Sequence, residues 1–328
     1  MNTFSKKTKI IISLISVCCV VLATIGGVLS ANMLANFSFG DEIALESLDN
    51  QTDAGTINIL LLGVDDGGMR SDTIMLASLN GRTGRLSVLS IPRDTRVQIG
   101  KYYQKINAAI GIGYQEVKKG NLKEPEDLTV QKVKLITGLP VHYFMSVNFD
   151  GFMEIIDAVD GVEFNVPFHM KYDDPVQGLH IDLQPGLQTL DGKKAHDFVR
   201  FRKGNAGYPG YAMGDLGRIE AQQAFIKALI SQKVTAKYLM KADEIFDVVC
   251  KNVRTNYTGK DLIKHLGSIR KITSDKMNMY QLPGTSQTIN GASYFICDDA
   301  KTAELVERVF SPSASFENEN QEAGQTDD

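Results

Sequence analysis

Between Ile10 and Gly40 the chain carries no charged residue, and Ile10 to about Leu29 is predominantly apolar. A run of about 20 such residues is long enough for one helical crossing of a bilayer. Lys6, Lys7 and Lys9 precede it; Asp41, Glu42, Glu46, Asp49 and Asp53 follow, with no Lys or Arg before Arg70. Positive charge on the short flank orients such a span with that flank in the cytoplasm. The expectation is therefore a cytoplasmic tail over residues 1–9, a transmembrane anchor over 10–30, a linker over 31–55 and the remainder outside the membrane. A cleaved signal peptide is the rival reading, with Val28-Leu29-Ser30-Ala31 as its cleavage site, but the apolar run is long for a signal peptide. Nine cytoplasmic residues cannot house a DNA-reading module.

Beyond the anchor, hydrophobic patterning reads as alternating strands and helices. Thr56–Val64, Thr73–Leu79 and Arg85–Ile91 are strand candidates, the last closed by Pro92, which cannot donate to a sheet ladder. Pro125–Thr137, Phe152–Val159, Asp191–Arg202, Asp215–Ile230, Tyr238–Val249, Asp261–Ile272 and Ala300–Phe310 read as helices, with Thr258 as a cap for the sixth. Val141–Asn148, Val162–Val166, Met277–Leu282 and Ser293–Cys297 read as strands. This alternation points to an α/β domain over 56–310, a mixed sheet flanked by helices. Residues 311–328 hold five acids and no base, which suits a disordered tail.

Cys250 and Cys297 are the cysteines outside the span; a disulfide and two separate thiols are both open. Gly111-Ile112-Gly113 lacks the third glycine and the strand–helix setting of a dinucleotide-binding loop. The five histidines are scattered and form no metal-ligand spacing.

The net charge of −4 argues against nucleic acid as a partner, but the arginines are unevenly placed. Of 11, five lie between Arg70 and Arg96, three between Arg200 and Arg218, and none from 97 to 199. Asp65 and Asp72 flank a glycine-containing loop after the first strand; hard carboxylate oxygens without nitrogen or sulfur ligands suit magnesium or manganese, and also suit an ordinary solvated turn. Arg93 follows a rigid Ile91-Pro92 edge, where its fork could face phosphate oxygens or a surface carboxylate. Arg200 and Arg202 point the same way if their segment is extended. Arg218 and Gln222 share a face at the start of the next helix, where free N–H groups favour anions.

Seven motifs in order carry a resemblance over about residues 57–230: NILLLGVD, RSDTIML, LSIPRDT, KINAA, VNFDGF, the DGxxA–FVRFRK segment and GDLGRIEAQQ. They resemble the LytR-CpsA-Psr family of bacterial cell-envelope proteins. The resemblance implies a magnesium-dependent phosphotransferase outside the cytoplasmic membrane. Its substrates would be a glycopolymer (wall teichoic acid, capsule or a similar chain) on a polyprenyl-pyrophosphate carrier and a peptidoglycan sugar hydroxyl. It also implies that Asp65 and Asp72 are metal-linked carboxylates and that Arg93, Arg200, Arg202, Arg218 and Gln222 bind pyrophosphate, with Lys105 a further member. Asp65, Asp72, Arg93 and Arg218 are the residues it ties to catalysis; Arg70 and Asp215 lie inside matching motifs without a sharper role. Phe144, Phe149, Phe152 and Ile156 are candidate walls for the lipid, or simple core. A polyprenyl-pyrophosphate hydrolase and a non-catalytic anchored binder of anionic lipid or polymer are the alternatives.

Overall fold

The computed structural model describes residues 55–310 except Asp66, residues 176–177, residues 234–241 and Arg270. The expected cytoplasmic tail, anchor, acidic tail and all of the linker but Gly55 lie outside the described residues. Among the described residues no helix is long and apolar enough to cross a membrane.

A six-stranded mixed sheet organises the domain. Its strands are β1 (Thr56–Val64), β2 (Ser71–Asn80) and β3 (Leu86–Ser90), followed much later by β6 (Tyr143–Asn148), β11 (Val253–Thr255) and β12 (Met277–Gln281). They are arranged β11-β6-β1-β2-β3-β12. β1 is central, antiparallel to β2 and parallel to β6. Near-continuous apolar sequence in β1 is explained by burial on both faces. Its odd positions Ile57, Ile59 and Leu61 pack with Met75, Ala77, Val88 and Met145 on one side. Its even positions Leu60, Leu62 and Val64 pack with Ile74, Leu76, Leu89 and Phe144 on the other.

Helices cover both faces. The odd side receives α3 (Phe149–Ala158), α4 (Gly192–Arg200), α5 (Asp215–Lys233), α6 (Ala242–Asn252) and α7 (Gly259–Ile269), through Ile155, Phe198, Phe225, Ile245 and Ile269. The even side receives α1 (Ala109–Lys118), α2 (Glu126–Thr137) and α8 (Asp299–Phe310), through Ile110, Val133 and Leu305. Each such fully buried side chain contributes roughly 1.5–3 kcal/mol of transfer free energy. The expected sandwich of helices about a mixed sheet is what forms.

The helix signals were informative where capping chemistry was present. Thr258 Oγ1 accepts from the Asp261 amide at 3.2 Å while Asp261 Oδ2 accepts from the Thr258 amide at 2.9 Å, a reciprocal cap that starts α7. Gly138 closes α2 at φ 68°, in the left-handed region. α3 begins three residues before the expected Phe152, because Asn148 caps it by accepting from the Gly151 amide at 2.9 Å. The strand therefore turns into helix with no loop. For the helix expected over Tyr238–Val249, residues 238–241 lie outside the described residues and α6 runs on to Asn252.

Several short strands escaped the sequence pattern. β4 (Arg96–Ile99) and β5 (Tyr102–Lys105) form one hairpin, β8 (Met170–Asp174) and β9 (Leu179–Leu183) a second. β10 (Gly186–Leu190) and β13 (Gly284–Ile289) were also missed, but each pairs with a strand expected from the sequence, β7 (Val162–Val166) and β14 (Ala292–Cys297) respectively. Each is four to six residues long with many polar positions, so periodicity alone is weak there. Two readings that the sequence leaves open are decided. Cys250 and Cys297 are free; Cys250 packs against the odd-side core and Cys297 against the even-side core, with the sheet between them. The four candidate lipid walls do not share a groove either, since Phe144 belongs to the even side and Phe152 and Ile156 to the odd side.

Candidate functional site

The chemistry-bearing residues gather where β1, β2 and β3 end and α5 begins. Along the β1–β2 ladder Gly63 pairs with Thr73, but the next residue, Val64, pairs with Ser71. Asp72 is thus the extra residue of a bulge, a device that re-aims a side chain out of the pleat. Gly63 is required by this close pairing, since a Cβ there would lie 3.1 Å from Thr73 Cβ.

The loop that joins the two strands is folded around Asp65. Its amide donates to Arg70 O at 3.0 Å, and its Oδ1 accepts from the Met69 and Arg70 amides at 2.7 and 3.0 Å. Gly68 takes φ 63° and donates to Asp65 O at 2.8 Å. One oxygen of Asp65 therefore shapes the loop and the other remains for a ligand. Arg70 is exposed beside it.

Arg93 arrives from the end of β3. Pro92 O accepts from the Thr95 amide and hydroxyl, and Asn107 N donates to Arg93 O at 3.1 Å, so the backbone on both sides of Arg93 is fixed. Its Nη1 donates to Asp72 Oδ1 at 2.5 Å. On the first turns of α5, Arg218 Nη2 lies 2.7 Å from Asp215 Oδ1. Arg93 Nε and Arg202 Nε each stand 3.9 Å from that same oxygen. Asp72, Ser90, Arg93, Asp215, Arg218 and Gln222 line one small cavity, floored by Met75 and Ile219.

The electrostatics of this cluster are unbalanced. Three guanidinium groups (Arg93, Arg202, Arg218) face two carboxylates (Asp72, Asp215), an excess of one positive charge. Burial works against the charge of Arg93, but Asp72, Asp215 and Asp94 outweigh it and raise its pKa. Arg218 is only 7% exposed, and burial lowers its pKa; Asp215 opposes that shift while the neighbouring Arg93 and Arg202 add to it. Arg93 Nε and Arg218 Nε are both buried without an acceptor. Asp215 Oδ1, despite its 2.7 Å ion pair, has no aligned hydrogen bond. Buried donors without acceptors are uncommon in native proteins and leave hydrogen-bonding capacity that water or an anion can take.

The remaining sequence candidates divide. Arg202 joins the cluster through Asp215. Arg200 does not line the cavity; it is the last residue of α4, and its guanidinium lies over the Phe149 ring at 4.5 Å. The parallel pair that an extended segment would give fails because Arg200 is still in α4 and the extended backbone begins only at Phe201. Gln222 lines the cavity while its Nε2 donates to Val199 O at 2.8 Å, holding the end of α4 against α5. Lys105 pairs with Asp94 at 2.9 Å. Two residues passed over in the sequence also serve the site. Gln223 Nε2 donates to Ser90 Oγ at 2.9 Å and to Tyr280 O at 3.1 Å, tying α5 to β3 and β12. Its neighbour in the QQ pair drew all the attention.

Among the described residues no group of three or more His, Cys, Asp or Glu side chains could hold a metal by itself. The donors here are carboxylate oxygens only, on Asp72, Asp215 and the free oxygen of Asp65. One or two such carboxylates, completed by substrate phosphates and water, are the kind of oxygen donor that magnesium takes.

Fold and site define an α/β protein with a half-buried cluster of arginines and aspartates around one small cavity. Residues 31–311 match the LytR_cpsA_psr family. The polyisoprenyl-teichoic acid–peptidoglycan teichoic acid transferase TagU of Oceanobacillus iheyensis is 37% identical over 259 residues, covering 78% of this chain and 74% of that protein. TagU of Bacillus subtilis, of the same full name, is 30% identical over 257 residues, 77% of this chain and 76% of the relative. The crystal structure of B. subtilis TagV matches with a TM-score of 0.61 at 27% identity, over 78% of this chain and 97% of that one. TagT bound to LI-WTA matches with a TM-score of 0.57 at 29% identity, over 77% and 88%. The chain belongs to the LytR_cpsA_psr family.

Proposed function

We propose that this chain is a phosphotransferase that moves a glycopolymer of the teichoic acid class from a polyprenyl-pyrophosphate carrier to a peptidoglycan sugar hydroxyl. The observation that carries the reading is the pair of buried, acceptor-less Nε–H groups of Arg93 and Arg218 at a cavity beside which Arg202 adds a third guanidinium. A pyrophosphate supplies the acceptor oxygens that both lack. The named activity of the TagU relatives supports the same chemistry.

In this reading Arg93, Arg202 and Arg218 bind the pyrophosphate, and Asp72 and Asp215 hold the three guanidinium groups in register. The sugar hydroxyl attacks the phosphorus that bears the polymer, and the bond to the lipid phosphate breaks. Phosphoryl transfer of this kind depends on positioning and charge neutralisation, so no protein nucleophile is needed. A magnesium ion held by Asp72 and Asp65 supplies further neutralisation of phosphate charge when bound. Arg200, Lys105 and Arg70 act from the rim.

An uncleaved N-terminal span with the domain outside the membrane places the clamp beside its lipid substrate.

The test is to incubate the membrane-reconstituted chain with lipid-pyrophosphate-linked polymer and peptidoglycan. Transfer gives phosphodiester-linked polymer and lipid phosphate in equal amounts. Lipid phosphate with unlinked polymer identifies the hydrolase, and binding without turnover the anchored binder.

A further inference from the structure

A second cluster of charge lies on the even side of the sheet, outside the clamp. Glu126 opens α2 and is fully buried, yet its Oε2 has no hydrogen-bond partner. Its Oε1 accepts from Ser146 Oγ at 2.9 Å and lies 3.3 Å from Arg254 Nε. Arg254, on edge strand β11, also donates through Nη2 to Glu124 at 2.9 Å and through Nη1 to Tyr114 Oη at 3.4 Å. Two carboxylates thus hold one guanidinium, and the guanidinium reaches a phenol on α1.

That phenol touches the Asp65 loop. A Cβ on Gly68 would stand 3.3 Å from Tyr114 Oη and 3.4 Å from Cε2. One turn earlier on the same face of α1, a Cβ on Gly111 would stand 2.6 Å from Met69 O. Gly111 and Tyr114 form a bed for residues 67–69, and Arg70 leads directly into Ser71 and the bulged Asp72.

We propose that Tyr114 and Arg254 are positioning residues for the Asp65 loop, bracing it from α1 and β11 so that Asp65 and Asp72 keep a fixed separation. Arg254 is held by Glu126 and Glu124, Tyr114 is held by Arg254, and the loop is held by Tyr114. The inference rests on the transferase reading for its catalytic consequence, although the brace itself does not.

Hydrogen exchange of the full chain at the Met69 and Arg70 amides, which Asp65 Oδ1 accepts, reads the brace without any substrate. Tyr114→Ala and Arg254→Lys should each speed exchange at these two amides on the order of tenfold while leaving β2 and β3 protected. In transfer assays the same variants should lower kcat on the order of tenfold at unchanged KM for the lipid carrier, since the arginine clamp is untouched. Added to Asp65→Ala, Tyr114→Ala should cause no further loss, because it acts through Asp65. Should Tyr114→Ala fail to fold, Tyr114→Phe, which removes only the hydroxyl that Arg254 reaches, tests the same link. Unchanged exchange at Met69 and Arg70 in the folded variants overturns the proposal, as do losses that add to that of Asp65→Ala. A wild-type chain that makes no phosphodiester-linked polymer sinks the transferase reading instead, and the exchange data still decide the brace.

Discussion

Arg218 and Asp215 sit three residues apart at the start of α5, their charged atoms 2.7 Å apart, yet Asp215 Oδ1 has no aligned hydrogen bond and Arg218 Nε has no acceptor. The pair neutralises charge without using up its hydrogen-bonding capacity. Arg93 repeats the arrangement, paired with Asp72 through Nη1 while its Nε is unmet. In the proposed reading, these unmet donors are what receives the anion.

Arg218→Ala should therefore remove most of the activity. Loss of one preorganised donor to a developing phosphate charge lowers kcat/KM by about 10²–10³-fold. Arg218→Lys should recover little, because an ammonium lacks the planar fork that serves Asp215 and substrate together. Asp215 retains Arg93 and Arg202 within 3.9 Å, so the fold should survive with a shift of a few degrees in melting temperature. A transfer rate within about threefold of wild type in Arg218→Ala would remove this residue from the site.

Asp72→Asn separates two roles of one side chain. The amide oxygen can still accept from Arg93, so the clamp persists, but the negative charge available to a divalent ion is gone. Replacing a direct ligand should raise the magnesium concentration for half-maximal transfer by at least about tenfold, as even outer-shell changes cost that much. A chelator should abolish wild-type transfer, and magnesium should restore it. Transfer indifferent to both the chelator and the substitution means that Asp72 only orients Arg93.

Much of this site was legible in sequence because its chemistry is carried by rare residues at strand and helix ends. Two arginine windows, Arg70–Arg96 and Arg200–Arg218, pointed to a clamp before any coordinates. What sequence lacked was local geometry. Arg200 and Arg202 look equivalent in FVRFRK, but α4 ends between them and sends one to Phe149 and the other to Asp215. Arg254 lies outside both windows, and its value depends on Glu126, 128 residues earlier in the chain. Long-range pairing of this kind leaves no periodicity. In the small hairpins β4–β5 and β8–β9 one strand of each pair, β5 and β8, is mostly polar and little buried, so no pair of alternating runs stands out.

Gly113→Ala should destabilise the domain without touching the clamp. The glycine pair of α1 once invited comparison with a nucleotide loop, but its role is close packing. A Cβ at Gly113 would collide with Pro125 O, the residue that caps α2. The clash is with backbone, so α1 and α2 must separate, at a cost of about 1–3 kcal/mol. Urea unfolding should show a lower midpoint at unchanged slope. An unchanged midpoint would show that the two helices can part freely.

Glu126 should give the chain an unusual pH dependence. Burial raises its pKa above the ordinary 4.5, against the opposing pull of Arg254 and the hydrogen bond from Ser146. Above 4.5 the unfolded chain has released this proton while the folded chain still holds it. The folded state then binds more protons, so unfolding free energy falls as pH rises from 4.5 through the folded value. Exposed carboxylates behave oppositely: Asp182, held down to about 2 by hydrogen bonds from Lys171 and His169, contributes stability that is lost as pH falls below 3.8. Glu126→Gln keeps an acceptor for Ser146 and removes the titration. The difference in stability between variant and wild type should therefore grow in favour of Gln as pH rises from 4 towards neutrality. Urea unfolding followed by tyrosine fluorescence is suited to this, as the chain has 11 tyrosines and no tryptophan. A difference that is flat with pH, or that shrinks, would show that Arg254 fully compensates the buried charge.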